Sequence, residues 1–302
     1  MEKTEFHGEP LDIAGLLDML EGQGFAIEDR ERATHILQNV SYSRLKPYLG
    51  TLMEDRATHR FRKGASMELA YSLYGFDRRL RELIFHEMEK IEISVRTHLA
   101  YATSGSEHGY WFTESKYFRN ASRHRYILSR IQQELRKSDN DGIVEFRQKY
   151  TNEFPPSWLT LEATSMGTLS TIYDEMADGP VKRSVAQYYG LSTDVFSAWL
   201  HHLVYVRNTC AHHSRLWNKR LTIRGKLPEK PRHYFPYMAR EDTERIYFTL
   251  CMVKYMQNVI KPTNTFAQRL RSLIEHFPQV DVKKMGFPQN WKEDPLWKVD
   301  AE

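Results

Sequence analysis

An arginine followed at once by asparagine, with a histidine four places further on, is a set that can work on a phosphodiester unaided. In this 302-residue chain such a set is Arg207-Asn208-Thr209-Cys210-Ala211-His212. A guanidinium offers a planar fork of donors to phosphate oxygens. An imidazole takes and returns a proton near neutral pH. The bare spacing is weak, because five of the 13 histidines follow an arginine by five positions, where chance supplies about one. Requiring asparagine after the arginine leaves two sites, Arg119-Asn120 with His124 and Arg207-Asn208 with His212. The first falls in a polar stretch at an expected loop-to-helix junction. The second sits on a strongly amphipathic helix, expected over 194–217, whose apolar stripe is Phe196, Trp199, Leu200, Leu203, Val206 and Cys210. Asn208, His212 and Arg215 form a polar stripe on the other side, while Arg207 lies at the edge of the apolar one, where a guanidinium is costly unless paired. An arginine that caps carbonyls and a histidine that is merely exposed give the same pattern, so a structural reading stands beside the chemical one.

The elements that must position these residues read as helices. Apolar residues recur at three and four spacings through most of the chain and alternating patterns are almost absent. The clearest helix is expected over 76–102, with Leu80, Leu83, Ile84, Met88, Ile91, Val95 and Leu99 on one stripe, and Asp77 as its N-cap. Others are expected at 11–22, 30–39, 123–137, 159–176, 181–189, 240–259 and 263–276, with Thr193 or Asp194 capping the helix of the motif. The stretch from Phe277, rich in proline and tryptophan, reads as an irregular tail pinned by its aromatics. The division expected is a helical segment over 1–64, a main helical domain over 65–276 and the tail over 277–302.

Composition narrows the function. Hydrophobic residues are 41% and charged residues 27%, the balance of a soluble globular chain, and the two cysteines exclude a disulfide framework and a four-thiolate zinc site. Neither a phosphate-binding glycine loop, nor an H-E-x-x-H helix, nor a G-x-S-x-G elbow occurs, so no metal and no cofactor is expected. The first ten residues do not read as a secretory leader and no apolar run is long enough to span a bilayer, which leaves a reducing cytoplasm as the expected address and no membrane partner.

The order of several short strings resembles the Abi-like (abortive-infection, AbiD/AbiF-type) proteins of bacteria, whose helical domain belongs to the HEPN superfamily. The strings are Tyr42-Ser-Arg44-Leu-Lys46-Pro-Tyr48, Phe76-Asp77-x-x-Leu80-Arg81, Ile91-Glu92-Ile93-Ser94-Val95-Arg96-Thr97 and Trp158-x-x-x-Glu162 with Gly167. They continue with Val206-Arg207-Asn208-x-x-x-His212-x-x-Arg215-Leu216-Trp217-Asn218, then Met285-Gly-Phe-Pro288 and Trp291. The resemblance implies an all-α, multi-helix HEPN-like bundle, with Arg207 and His212 as the catalytic pair and Asn208 in support. It further implies a metal-independent endoribonuclease in which the 2′-hydroxyl of RNA attacks its own phosphate, leaving a 2′,3′-cyclic end. On an ideal helix positions 207 and 212 are about 140° apart. The resemblance supplies an answer, a homodimer with two motifs facing across one cleft.

Glu92 and Arg96, an i, i+4 pair, read either as a weak surface ion pair or as support for the site, in which Glu92 or Glu162 reaches Arg207 and orients it. Tyr42, Arg44 and Lys46 mix an aromatic with cations and read as RNA contacts, or as core in the case of the tyrosine. Three basic windows, 43–63, 116–137 and 207–232, hold 21 Lys/Arg against four acids, although the whole chain is only +4. They add Arg60, Arg62, Arg119, Arg123, Lys219 and Arg220, together with Arg215, as expected RNA contacts lining one cleft. RNA is thus the expected partner, with a regulatory antitoxin or non-coding RNA beside it. An RNA-holding protein without cleavage and a protein-interaction scaffold are the alternatives.

Overall fold

The computed structural model describes residues 9–55, 57–106 and 108–299, without the side chain of Ser106. The leader reading over residues 1–8 and the last three residues of the expected tail lie outside them. Within the described residues there are twelve α-helices and one two-stranded sheet, so the fold is all-α. The chain forms two compact units, Met1–Leu80 with Leu273–Asp281, and Arg81–Ser272 with Val282–Glu302. The division runs inside a helix.

In the first unit, α1 (Ile13–Gly22) packs on α2 (Arg30–Asn39), each started by an aspartate, Asp12 or Asp29, that accepts from a first-turn backbone N–H. Next come α3 (Tyr42–Leu52) and a hairpin of β1 (Met53–Asp55) and β2 (Arg60–Phe61). Neither α3 nor the hairpin was legible, since Pro47 and Gly50 look like breakers. The helix survives Pro47 because Leu45, Tyr48, Leu49 and Leu52 are all buried, which outweighs one missing backbone donor. Then α4 (Met67–Ser106) begins, giving 67–80 to this unit and 81–106 to the other. Asp77 is not its N-cap: it lies inside the helix, fully buried, and accepts a 2.6 Å bond from the Tyr48 hydroxyl.

The second unit is built on the rest of α4 with α5 (Ala121–Lys137), α6 (Asp141–Lys149), α7 (Ser157–Ala163), α8 (Met166–Glu175), α9 (Pro180–Tyr188), α10 (Thr193–Ala211), α11 (Ile246–Ile260) and most of α12 (Phe266–His276). Every residue of the expected α4 stripe is buried, as is every one of the α10 stripe. The single helix expected over 159–176 is two, because Ser165 caps α8 by accepting from the Thr168 N–H. α8 packs on both α5 and α10. α11 is buried on all sides from Ile246 to Gln257, as an apolar helix without a polar face must be. The tail from 282 returns to this unit through Phe287, Trp291, Leu296 and Trp297, all buried, and Arg271 holds the carbonyls of Lys292 and Trp297 at 2.6 and 2.8 Å.

Between α10 and α11 the chain runs through a long loop over 218–245, irregular but for a 3-10 turn at Arg240–Glu244 and moored at several points. Trp199 Nε1 donates to the Lys226 carbonyl at 2.8 Å, the Arg232 N–H donates to the Gly190 carbonyl at 2.9 Å, and Leu221 is buried. The Phe235 ring lies 5.4 Å from Trp199, whereas Tyr237 is 98% exposed. No helix among the described residues is long and apolar enough to cross a membrane.

Candidate nucleic-acid site at the end of the motif helix

The site grows from the last turn of α10. Its apolar face fixes the helix roll, with Val206 at 0% and Cys210 at 5% exposure. Arg207, one residue past Val206, is therefore half-buried, and Asn208 is exposed. The helix ends at Ala211, six residues short of the expected end. His212 is its C-cap, and the His213 N–H bonds the Cys210 carbonyl at 2.9 Å while the Ser214 N–H bonds the Thr209 carbonyl at 2.9 Å. These two bonds make a Schellman ending, with His213 in the left-handed position at φ 55° that glycine usually fills. The polar stripe expected through Arg215 is thus broken at His212. Leu216 and Trp217, both buried, pin the chain beyond the turn. His212 is left exposed on the last turn.

Arg207 makes no ion pair among the described residues, and its one hydrogen bond goes from Nη1 to Asn208 Oδ1 at 3.4 Å. Its guanidinium lies 5.5 Å from the centroid of Phe85 on α4, a cation–π contact that lowers the cost of half-burying it. Around it is a cavity of about 320 Å³ that also takes in Glu89, Glu92, Arg96 and Glu162, with Met88 and Ile93 as apolar wall. The structure therefore brings Arg207 and all three supporting residues to one cavity. It does not bring them together as expected: neither Glu92 nor Glu162 pairs with Arg207. His212 is not among the residues lining this cavity.

Arg96 has a different task. Its side chain is 7% exposed, and its Nη1 donates to the carbonyls of Leu161, Glu162 (2.8 Å) and Thr164 (3.0 Å), the open end of α7. Nη2 donates to Glu92 Oε1 at 2.7 Å. The pair is thus a largely buried C-cap for α7, fixing the backbone of Glu162, rather than a surface ion pair.

The second Arg-Asn…His set is structural. Asn120 caps α5 through the N–H groups of Ser122 and Arg123, and His124 is buried, with Nε2 bonded to the Phe112 carbonyl at 2.9 Å. His202 is also a core residue, with Nδ1–H donating to the Ile223 carbonyl at 2.7 Å and Nε2 accepting from Thr249 Oγ1 at 2.7 Å. Burial pulls its pKa down to about 4, against the weaker upward pull of the Ile223 bond, so it is neutral. Among the described residues no group of three or more His, Cys, Asp and Glu is placed to hold a metal ion.

Part of the expected basic surface is paired with acids. Arg119 bonds Asp174, Arg123 Nε lies 3.0 Å from Glu175 Oε1, Lys226 bonds Asp194, and Arg220 and Arg224 share Glu244. Lys219 and Arg215 are half-buried near the motif. In the first unit Arg44, Lys46, Arg60 and Arg62 are exposed, and Tyr42 is half-buried, its phenol pushed up by that burial. Phe85 was missed in the sequence, although one signal was there. It is a large apolar residue one position off the Leu80–Leu99 stripe, on a helix face otherwise carrying Glu82, His86 and Glu89.

Compared with known proteins, residues 35–218, more than half of the chain, match a family model described as Abi-like protein. No curated protein and no solved structure matches it. The matched span includes the cavity and the whole motif through Asn218.

Proposed function

Since the chain belongs to the Abi-like protein family, we propose that it is an abortive-infection protein that cleaves RNA in the cytoplasm during phage attack. One observation carries the reading: Arg207 is held half-buried over Phe85 with almost all of its donors unspent, in a cavity where three carboxylates stand near and none pairs with it. A cation kept so at a cost to the fold is poised for an anion that the free protein lacks.

In this reading the guanidinium fork binds the scissile phosphate and stabilises the charge that grows on its oxygens. Asn208 steadies the fork. His212, exposed at the helix end, takes the proton of the 2′-hydroxyl or gives one to the 5′-oxygen that leaves. The nucleophile comes from the RNA itself, so the cleavage needs no metal, and the products are a 2′,3′-cyclic phosphate and a 5′-hydroxyl. Arg207 lines a cavity that His212 does not, so a second copy of the chain, its own motif turned toward the first, completes the cleft. An antitoxin or non-coding RNA holds the activity in check until infection.

That same separation of Arg207 from His212 favours a second reading, in which the protein grips an RNA without cutting it. His212→Ala decides between them, measured by gel assay of labelled RNA and by anisotropy. Cleavage lost with affinity kept is the expected result. A wild-type protein that binds RNA yet cuts none, alone or in extracts of infected cells, overturns the nuclease in favour of the holder.

A further inference from the structure

We infer that the cavity beside Arg207 is a nucleobase pocket that selects guanine next to the phosphate held by Arg207. The inference rests on the RNA reading above and adds a base identity to it. Its volume, about 320 Å³, lies at the low end of the roughly 300–1,000 Å³ of small-ligand pockets. Phe85 is 41% exposed at the cavity, and the Arg207 guanidinium rests over its ring. An aromatic ring and a guanidinium plane are the two surfaces on which proteins stack unpaired RNA bases.

The polar wall then chooses among the bases. Arg96 is spent on three carbonyls and Glu92, so the cavity's second cation has little left to offer a ligand. The carboxylates of Glu89 and Glu162 have no hydrogen-bond or ion-pair partner among the described residues, and the Glu162 backbone is fixed by Arg96 at 2.8 Å. Three carboxylates against two guanidiniums make the interior net acidic, which keeps a phosphate at its mouth, on Arg207, and admits a flat neutral group rich in donors. Guanine is the one RNA base with two adjacent donors, N1–H and the N2 amino group, on its pairing edge. They match the two oxygens of a carboxylate. Adenine and cytosine place an acceptor beside their single amino group, and uracil sets its one donor between two acceptors, so a carboxylate repels each of them in part.

The test uses the full-length protein and short uridine oligonucleotides carrying one guanosine, inosine or adenosine, with every 2′-oxygen methylated so that none is cut. Anisotropy at low salt should show guanosine binding about tenfold tighter than adenosine, with inosine, which lacks the N2 amino group, weaker than guanosine. Glu162→Gln should bring the three within about twofold of one another, chiefly by loss of guanosine affinity, while the all-uridine oligonucleotide binds no more weakly than before. Equal binding of all three to the wild type overturns the pocket alone and points instead to a cationic side chain of a protein partner as its occupant. A guanosine preference that survives both Glu162→Gln and Glu89→Gln also overturns it. Failure of every oligonucleotide to bind overturns the RNA reading and the pocket with it.

Discussion

Arg207 shows how much one side chain's surroundings decide. Half-buried, stacked on Phe85 and short of partners, it owes its position to planarity as well as charge. A lysine keeps the charge but neither the fork nor the stack. Arg207→Lys should therefore lower single-turnover cleavage by about a hundredfold, while RNA affinity falls by less than about tenfold; parallel gel and anisotropy measurements check this. The arginine and histidine were legible because both lie in one local string. The contact with Phe85 was not, because it joins two helices far apart in sequence. His202, by contrast, carries a stability signature. Its pKa is near 4 in the folded chain and near 6.5 once exposed, so the unfolded chain binds the extra proton between those values. The stabilisation is complete above about pH 6.5 and fades as pH falls toward 4, by up to about 3 kcal/mol. Urea midpoints taken from pH 7 to 4.5 should fall steeply in the wild type and less steeply in His202→Gln, which starts lower.

Among the elements, α7 is the one most dependent on a distant group. It has seven residues, too few to stand by propensity, and its open carbonyls are closed by Arg96 of α4. Replacing Arg96 with methionine leaves those carbonyls and Glu92 without their cation, at a cost of about 3–5 kcal/mol. Thermal unfolding should show that loss, and adding Glu92→Gln should recover part of it. Nothing in the local sequence announces such a cap, which is why 159–176 reads as one helix. Most of the other helices were legible from their apolar periods, since burial follows the same stripe that the sequence displays: all of Leu80–Leu99 and Phe196–Cys210 on those stripes point inward. The end of α10 was less legible. A histidine in a left-handed turn carries no glycine flag, so the Schellman ending was hidden.

At the scale of the whole molecule, charge is the property that a reading along the chain shows least completely. In the windows 116–137 and 207–232 part of the basic charge is met by acids that arrive from elsewhere, Asp174, Glu175, Asp194 and Glu244. A net count along a window cannot see partners fifty residues away. The loop over 218–245 shows the opposite relation, irregular in backbone yet bound to α10 through Trp199, His202 and Phe235. Beyond these moorings Tyr237 and Arg240 stand free of the core. A brief exposure to trypsin should cut after Arg240, where the chain enters the short 3-10 turn Arg240–Glu244, well before any α-helix is opened. The two pieces should separate on a denaturing gel but elute together from a sizing column, because α11 is buried from Ile246 to Gln257 and stays seated. Covalent continuity across this loop should thus be dispensable once the protein has folded, and a chain opened or rejoined there should keep its motif helix intact.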